Sequence, residues 1–429
     1  MDLCFSRTAW RPRIVATPTH DRRGFRGILA VHVDASRPDP PPAKRGTTRP
    51  VSATAIPTRR RSASPGGRAQ TAPPVLVRQL RNGIEESVHR GAVVQAAVDG
   101  RLIRVIGDPD RLVTLRSTVK PFGLIALVEA GGIEAFDLAS DELAVLASSH
   151  SGEDIHVRTL QGVLRRAGVS QALLACGTED APLDALTAAR LARDGEKGGP
   201  IRHMCSGQHV AALLLARSQD WELEDYWHPE HPAQVAFRSA VARAFGTKPS
   251  ALRTAIDGCG LETFAFALRE VARTYAFLAD PAAVPAGDSR SAVARPLTRI
   301  RDALLEHPEM IGGRHDRLDT SLMKAAPGRL ISKVGMEALR GIAILPGSGS
   351  GTAASLASGL AVKIEDGDGF DRGTWAASVE ALRQAGALEE QAVRMLARYR
   401  RPPTMDPRGN VAAEAVATFE LAPVGELIG

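Results

Sequence analysis

The stretch GDPDRLVTLRSTVKPF, residues 107–122, joins a strand-like run to a segment in which Ser117 and Lys120 lie three positions apart. If a helix begins at Ser117, Lys120 follows one turn later on the same face, where its amine can reach the serine hydroxyl. A serine hydroxyl is a poor nucleophile until a nearby base accepts its proton. The lysine can act as that base near pH 7 if burial or a second cation lowers its pKa. The stretch therefore predicts a strand-to-helix corner that carries a Ser–Lys catalytic pair.

A Ser-x-x-Lys pattern is a weak signal by itself, because roughly half a match per chain is expected by chance at these residue frequencies. Ser321 and Lys324 form a second copy. Either copy is also explained by a helix cap followed by a solvated lysine. The pattern alone leaves the choice between the two copies open.

Two further polar features interrupt apolar runs. SSHSGE, residues 148–153, follows the apolar LAVLA and contains Ser149. It can also be a helix end followed by a new helix with Glu153 in its first turn. Lys333 stands within the strand-like LISKVGME, where a lysine can equally protect an edge strand from pairing with another chain. Both features are candidates for chemistry, and these structural alternatives stay open.

Cys205 in HMCSGQH and Cys259 in DGCG lie beside glycines, outside the smooth helical pattern. Two thiolates and a third ligand could hold zinc, whereas a single buried cysteine usually packs as a small apolar side chain. The four cysteines are far apart and form no CxxC pair, which favours a reducing compartment.

The formal net charge of +6 is concentrated near the start of the chain. Residues 1–72 carry 14 Lys and Arg against 4 Asp and Glu, and they are rich in Pro, Ser and Arg without a sustained apolar period. The remaining residues carry 40 basic against 44 acidic side chains, and 4% of the chain is aromatic. We therefore predict a disordered basic tail over residues 1–72 and one catalytic domain over residues 73–429, with no nucleic-acid face.

No apolar run approaches the ~18 residues that crossing a membrane requires. The start MDLCFSRTAW also lacks the continuous apolar core of a secretory signal. An organelle transit peptide is a competing explanation of the tail, although its four aspartates oppose it. We expect a cytoplasmic protein with no membrane partner.

Hydrophobic periodicity divides the region after residue 73 into three parts. Asp99-Gly100 separates two β-rich runs and predicts a tight hairpin. From residue 118 to about 301, Ala and Leu recur at three- and four-residue spacing and predict helices. Strand-like runs return after Arg329, before helices from about residue 375 to 399. This order predicts an α/β fold with one sheet built from both chain ends and a helical subdomain inserted between them.

Taken in order, these segments resemble the rhizobial-type, class 3 L-asparaginases, also called the asparaginase II family. The likeness runs from about residue 76 to 416 and is carried by ESVHRGAVV, GDPDRLVTLRSTVKPF, SSHSGE, CSGQH, DGCG, LISKVG, LAVKIEDG and GNVAAE. Ordered blocks are more specific than any one motif. The resemblance implies a serine β-lactamase-like fold, a homodimer, and hydrolysis of L-asparagine to L-aspartate and ammonia.

The resemblance also implies that two Ser–Lys tandems carry the reaction. Ser117 with Lys120 is the first, in preference to the copy at Ser321, and Ser149 with Lys333 is the second. Lys120 is expected to accept the proton of Ser117, which attacks the side-chain amide carbon. The second tandem is expected to relay protons and to lower the pKa of Lys120.

Three residues match positions at the family's substrate site: Arg116, Asp257 and His209. A guanidinium for the carboxylate and a carboxylate for the amine are what a zwitterionic amino acid requires.

The family's metal site uses two cysteines, matched by Cys205 and Cys259, and a lysine whose position Gln208 occupies here. An amide is a poorer zinc donor than a neutral amine. We therefore predict that zinc binds weakly and that the reaction requires no cofactor.

Two other functions fit parts of the pattern. A penicillin-interacting serine hydrolase shares the scaffold and the Ser-x-x-Lys motif, but the sequence lacks the Ser-Asp-Asn and Lys-Thr-Gly elements of that class. A non-catalytic amino-acid-binding relative would keep the fold and lose the chemistry, which the substitution at Gln208 allows. Release of ammonia from asparagine separates the three functions.

Overall fold

The computed structural model describes residues 72–178, 181–347, 356–367 and 372–425. Apart from Ala72, the predicted basic tail lies outside the described residues. The boundary between the tail and the catalytic domain stays a prediction.

Strands occur near both ends of the described chain and at two places between. In chain order they are β1 (Val75–Arg81), β2 (Ile84–Ala97), β3 (Leu102–Ile106), β4 (Leu112–Thr114), β5 (Arg253–Ile256), β6 (Glu262–Ala267), β7 (Leu330–Gly335), β8 (Leu339–Ile344), β9 (Ser358–Ile364), β10 (Pro403–Met405) and β11 (Val411–Ala417). The hairpin predicted at Asp99-Gly100 is confirmed, because β2 and β3 pair antiparallel around it and Gly100 adopts the positive φ of 93° that favours glycine.

The larger sheet joins the two ends of the chain. Its strands follow the order β10-β11-β1-β2-β9-β8-β7, with β3 also paired to β2. Val77 of β1 lies opposite Ala417 of β11, and Val93 of β2 lies opposite Val362 of β9. This sheet confirms the predicted α/β fold with strands from both termini and helices inserted between them.

Most helices lie between β3 and β7. They are α1 (Lys120–Gly123), α2 (Ile125–Glu129), α3 (Gly132–Ala135), α4 (Ser140–Leu146), α5 (Asp154–Ala167), α6 (Ala185–Asp194), α7 (Ser206–Ser218), α8 (Pro232–Ala244), α9 (Leu268–Ala279), α10 (Ala294–Glu306), α11 (Pro308–Ile311) and α12 (Leu318–Ala325), followed after β9 by α13 (Gly373–Gln384), α14 (Glu390–Met395) and α15 (Ala397–Arg400). Within the described ranges, no helix combines the length and the apolar character needed to cross a membrane.

Most of the larger sheet, from the second half of β2 to β7, is buried on both faces. Along β2, Val94 packs into the core shared with the inserted helices, whereas Val93 faces a second core formed with α13. Ala361 and Leu360 of β9 divide between the two cores in the same way. Successive side chains of a strand point to opposite faces, so the continuous apolar runs in these strands reflect burial on both sides.

A second sheet contains two strands, β5 and β6, from within the region that the sequence predicts as helical. It has the order β4-β6-β5 and pairs Val113 with Phe266 and Ala255 with Thr263. The Ala-rich composition of this region concealed β5 and β6. The small sheet connects the corner at Ser117 to the segment that carries Asp257.

Candidate active site

The corner predicted at Ser117 lies between β4 and α1, as a short 3-10 turn, Arg116–Val119. Arg116 has a φ of 48°, an unfavourable conformation for a non-glycine residue. Its backbone N–H donates to Thr263 Oγ1 of β6 at 2.9 Å, which stabilises this conformation. The turn places Ser117 in the wall of a cavity of about 650 Å³.

Lys120, at the start of α1, is buried. Its Nζ donates to the carbonyl oxygen of Ser148 at 2.7 Å, to Ser149 Oγ at 3.2 Å and to the carbonyl oxygen of Met204 at 3.4 Å. Among these contacts there is no hydrogen bond to Ser117 Oγ. Lys120 therefore joins the two predicted tandems, with its closest side-chain contact to the serine of the second.

The second tandem forms the tightest contact of the site. Lys333 Nζ lies 2.6 Å from Ser149 Oγ and donates to the carbonyl oxygen of Val334 at 2.9 Å. Both side chains are buried, with 1% of each residue exposed. Burial, and then the charge of Lys120, lower the pKa of Lys333 well below the usual lysine value. This shift of the Lys333 pKa was not predicted from the sequence.

The positions of two features bear on alternatives left open by the sequence: Lys333 as a protective edge-strand lysine, and Ser321 with Lys324 as the second Ser-x-x-Lys copy. β7 does lie at the end of the larger sheet, but Lys333 points into the protein and is not a solvated edge lysine. Ser321 Oγ donates to Tyr399 OH at 3.0 Å. Ser321 and Lys324 line a different cavity from the one that contains Ser117.

Arg116 and Asp257 lie together on the wall of the Ser117 cavity. Arg116 Nη2 donates to Asp257 Oδ1 at 3.0 Å. The two side chains remain 19% and 12% exposed, so both can be reached from the cavity. The sequence-predicted pair is therefore adjacent to Ser117, with one positive and one negative group available to a ligand.

His209 is fully buried in α7 and is not among the residues that line this cavity. Its Nδ1 is 2.6 Å from Tyr226 OH, and Tyr226 OH also accepts from the backbone N–H of Ala175 at 3.0 Å. The direction of the hydrogen bond between Nδ1 and the tyrosine hydroxyl depends on the tautomer of the imidazole. Burial lowers the pKa of His209 to about 3, so the imidazole is neutral. Its role at the substrate site stays a prediction.

Cys205 and Cys259 meet at the same cavity and are both buried. The hydrogen bond from Cys259, helped by the charge of Lys120, lowers the pKa of the Cys205 thiol well below its usual value. The hydrogen bond and burial raise the pKa of Cys259. This pair is suited to sharing one proton between two sulfurs.

The residues present fit a zinc ion poorly. Gln208 and Phe237 line a small apolar cavity, and Gln208 is not among the residues that line the cavity with the two cysteines. In the described ranges, three His, Cys, Asp or Glu side chains come within 4.8 Å of one another at Glu153, Asp184 and His315, and not at the cysteines. The two thiols therefore lack a third ligand of these types at the spacing of a shared ion.

We expect the purified chain to contain zinc well below one equivalent, and chelation to leave the turnover rate largely unchanged. Gln208→Lys restores an amine and should increase zinc retention, since amine and thiolate donors suit this metal. Metal content measured by mass spectrometry on both proteins checks this. Stoichiometric zinc in the unaltered chain, with activity lost on chelation and restored by zinc, would show that the amide is sufficient.

Sequence reasoning missed the groups that hold the second tandem in place. The backbone N–H of Ser149 donates to the carbonyl oxygen of Ile311 at 3.0 Å. Arg317 Nη2 donates to the carbonyl oxygen of Ser149 at 2.7 Å. Such contacts use the backbone and residues more than 160 positions away, so no local motif indicates them.

The fold and this site define the class of the protein. It is an α/β protein with one sheet built from both chain ends, in which two buried lysines meet a buried serine beside an open cavity. Residues 77–417 of the sequence match the protein family described as L-asparaginase II. The chain belongs to that family, and it is therefore an amidohydrolase.

Solved structures provide further comparisons. The chain is similar to Mglu, with 16% identity and a TM-score of 0.33 over 70% of this chain and 68% of that one. It is also similar to a probable glutaminase of Bacillus subtilis, with 10% identity and a TM-score of 0.34 over 72% and 86% of the respective chains. No curated protein sequence matches the chain.

Proposed function

We propose that the chain hydrolyses L-asparagine to L-aspartate and ammonia through an acyl-enzyme on Ser117. The observation that carries this proposal is the position of Ser149 Oγ, 3.2 Å from Lys120 Nζ and 2.6 Å from Lys333 Nζ. A hydroxyl between two amines can accept a proton from one and donate a proton to the other. Family membership and the adjoining cavity support the choice of an amino-acid amide as substrate.

Arg116 and Asp257 provide the contacts for the α-carboxylate and the α-ammonium group of the substrate. In the proposed complex, the α-carboxylate binds the Arg116 guanidinium, and the α-ammonium binds the Asp257 carboxylate. The ligand charges replace part of the ion pair that the two residues form with each other. The side-chain amide then extends toward Ser117 in the same cavity wall.

The second tandem prepares the base. Because burial and the Lys120 charge favour a neutral Lys333, this amine can accept the proton of Ser149, which in turn takes one from Lys120. Neutral Lys120 can then accept the proton of Ser117. The missing hydrogen bond between Ser117 and Lys120 is compatible with this step, since catalytic hydrogen bonds often tighten when substrate binds.

The covalent steps follow from that transfer. Ser117 Oγ bonds to the amide carbon while its proton passes to Lys120. The carbon–nitrogen bond breaks, and the nitrogen takes this proton and leaves as ammonia. Water then attacks the ester, the carbon–oxygen bond to Ser117 breaks, and the serine recovers a proton. The products are aspartate and the original enzyme, and no step requires a metal.

Ammonia release from L-asparagine, L-glutamine and a chromogenic cephalosporin tests the proposal against its alternatives. We expect asparagine to give ammonia and aspartate in equal amounts. Hydrolysis of the cephalosporin with no ammonia from asparagine would favour a penicillin-interacting hydrolase. Binding of asparagine without turnover would favour a non-catalytic relative, and a faster reaction with glutamine would change the substrate assignment.

We also propose that the enzyme works as a cytoplasmic homodimer on free L-asparagine, with neither nucleic acid nor a membrane as partner. The resemblance to the class 3 enzymes and the mildly acidic composition after residue 72 support this assignment. Light scattering of the purified chain measures the mass in solution, and a monomer at assay concentration would contradict the dimer.

Acidification should inactivate the enzyme by protonating Lys333. A lysine is neutral above its pKa and cationic below it, so the base is lost as the pH falls through the lowered pKa of Lys333. We expect kcat/KM to decrease toward acidic pH in the way that protonation of a single group produces. A rate that stays constant down to the pH at which the protein unfolds, followed by circular dichroism, would contradict the assignment of this acidic limb to Lys333.

A further inference from the structure

A buried ion pair lies behind the second tandem, outside the substrate cavity. Asp319, in the first turn of α12, contacts Arg340 of β8, and both side chains are buried. Ser332 Oγ donates to Asp319 Oδ1 at 2.6 Å, and the backbone N–H of Val334 donates to Asp319 Oδ2 at 3.0 Å. The carboxylate therefore binds the residue on each side of Lys333.

This arrangement compensates for the position of β7 in the sheet. Among the described strands, β7 pairs with β8 alone, so its other edge has no strand to accept its N–H groups. A free edge is less constrained than a central strand. The Asp319 carboxylate supplies the acceptor for Val334 at this edge, and it fixes the backbone on both sides of Lys333.

The same segment also holds the partner of Lys333. Arg317, two residues before Asp319, donates to the carbonyl oxygen of Ser149 at 2.7 Å. Arg317 thus contacts Ser149, and Asp319 contacts the strand that carries Lys333. Ser149 and Lys333 are the two residues whose side chains lie 2.6 Å apart. One short stretch at the start of α12 therefore contacts both Ser149 and the strand that carries Lys333.

A purely structural role accounts poorly for this ion pair. Taking two charges out of water is costly, and well-packed apolar side chains of similar volume are often as stabilising or more so. What a buried carboxylate offers instead is directional hydrogen bonding at fixed points. Here those points are the two neighbours of a candidate catalytic lysine.

We infer that Asp319 is a positioning residue, which holds Lys333 Nζ within proton-transfer distance of Ser149 Oγ by fixing Ser332 and Val334. The inference rests on the proposed function, because it assigns Lys333 a part in proton transfer. Asp319 does not touch the substrate. Its effect on the reaction passes through the position of β7.

The test compares Asp319→Asn and Ser332→Ala with a matched control, Asp288→Asn. Asp288 also binds a buried arginine, with Arg290 Nη2 at 2.6 Å, but makes no contact with the tandems. A displacement of about 1 Å can reduce a rate by about 100-fold. We expect Asp319→Asn to lower kcat by about that factor with KM changed less than about two-fold, and Ser332→Ala to lower kcat less. Asp288→Asn should lower the melting temperature but leave kcat unchanged.

Crystal structures of the variants give a second measurement that needs no activity. We expect the Lys333 Nζ to Ser149 Oγ distance to lengthen in Asp319→Asn and to stay at 2.6 Å in Asp288→Asn. An unchanged distance with unchanged kcat would overturn the inference. If the unaltered chain releases no ammonia from any amide, the proposed function fails, and the distance alone still decides whether Asp319 positions Lys333. If Asp319→Asn does not fold, Ser332→Ala decides both measurements.

Discussion

Ser117→Ala is expected to reduce kcat for asparagine hydrolysis by roughly 10³- to 10⁶-fold, since loss of a catalytic nucleophile has costs of this order in serine hydrolases. Ser117 lines the cavity beside Arg116 and Asp257, whereas Ser149 does not. The variant should remain folded because the change removes one hydroxyl group. Ammonia release and a thermal unfolding curve measure the two effects.

The nucleophile and its base should behave as a unit. Lys120→Met should reduce kcat about as strongly as Ser117→Ala, and the double variant should be little worse than either single one. The second Ser-x-x-Lys copy provides the matched control, because Ser321 and Lys324 line another cavity. Ser321→Ala should retain full activity. Substantial activity in Ser117→Ala, with none in Ser149→Ala, would transfer the nucleophile role to Ser149.

Lys333→Met is expected to lower kcat by about 10²- to 10⁴-fold, the usual contribution of general acid–base catalysis. Methionine has a similar length and no charge, so it can fill the buried space that Lys333 occupies without adding a desolvation penalty. KM should change little, because Lys333 does not line the substrate cavity. Steady-state kinetics across pH checks both statements.

The same variant should lose the acidic limb of the pH profile assigned to Lys333. Lys324→Met, which removes a lysine from the other cavity, is the control and should keep both the rate and the limb. A normal rate in Lys333→Met would remove the second tandem from the mechanism. The explanation of why Ser149 lies between two amines would then have to be sought in stability alone.

The sequence predicted the parts of the fold that local periodicity encodes. The hairpin around Asp99-Gly100 and the strands after Arg329 are confirmed, because turn chemistry and apolar runs determine them locally. β5 and β6 were missed, since Ala-rich strands next to helices of the same composition share no distinguishing period. Long-range pairing between β1 and β11 followed from the order of elements and not from any local signal.

Part of the candidate site could also be predicted from the sequence, and part could not. Ser117, Lys120, Ser149 and Lys333 were identified from motifs and from the family resemblance. In the structure, Lys120 and Lys333 both contact Ser149, and Ser117 lines the cavity that also contains Arg116 and Asp257. The direction of the Lys333 pKa shift could not be predicted, because it depends on burial and on a charge over 200 residues away in the sequence. The contacts of Arg317 and Asp319 were also absent from the prediction, since tertiary packing alone creates them.

Covalent labelling of the enzyme during turnover tests the central claim most directly. The purified chain is mixed with L-asparagine and quenched in acid during the first turnover, and the peptides that contain Ser117 and Ser149 are then mapped by mass spectrometry. We expect one aspartyl group on the Ser117 peptide, formed in step with ammonia and absent from Ser117→Ala. An aspartyl group on Ser149, or no ammonia from asparagine, would contradict the account.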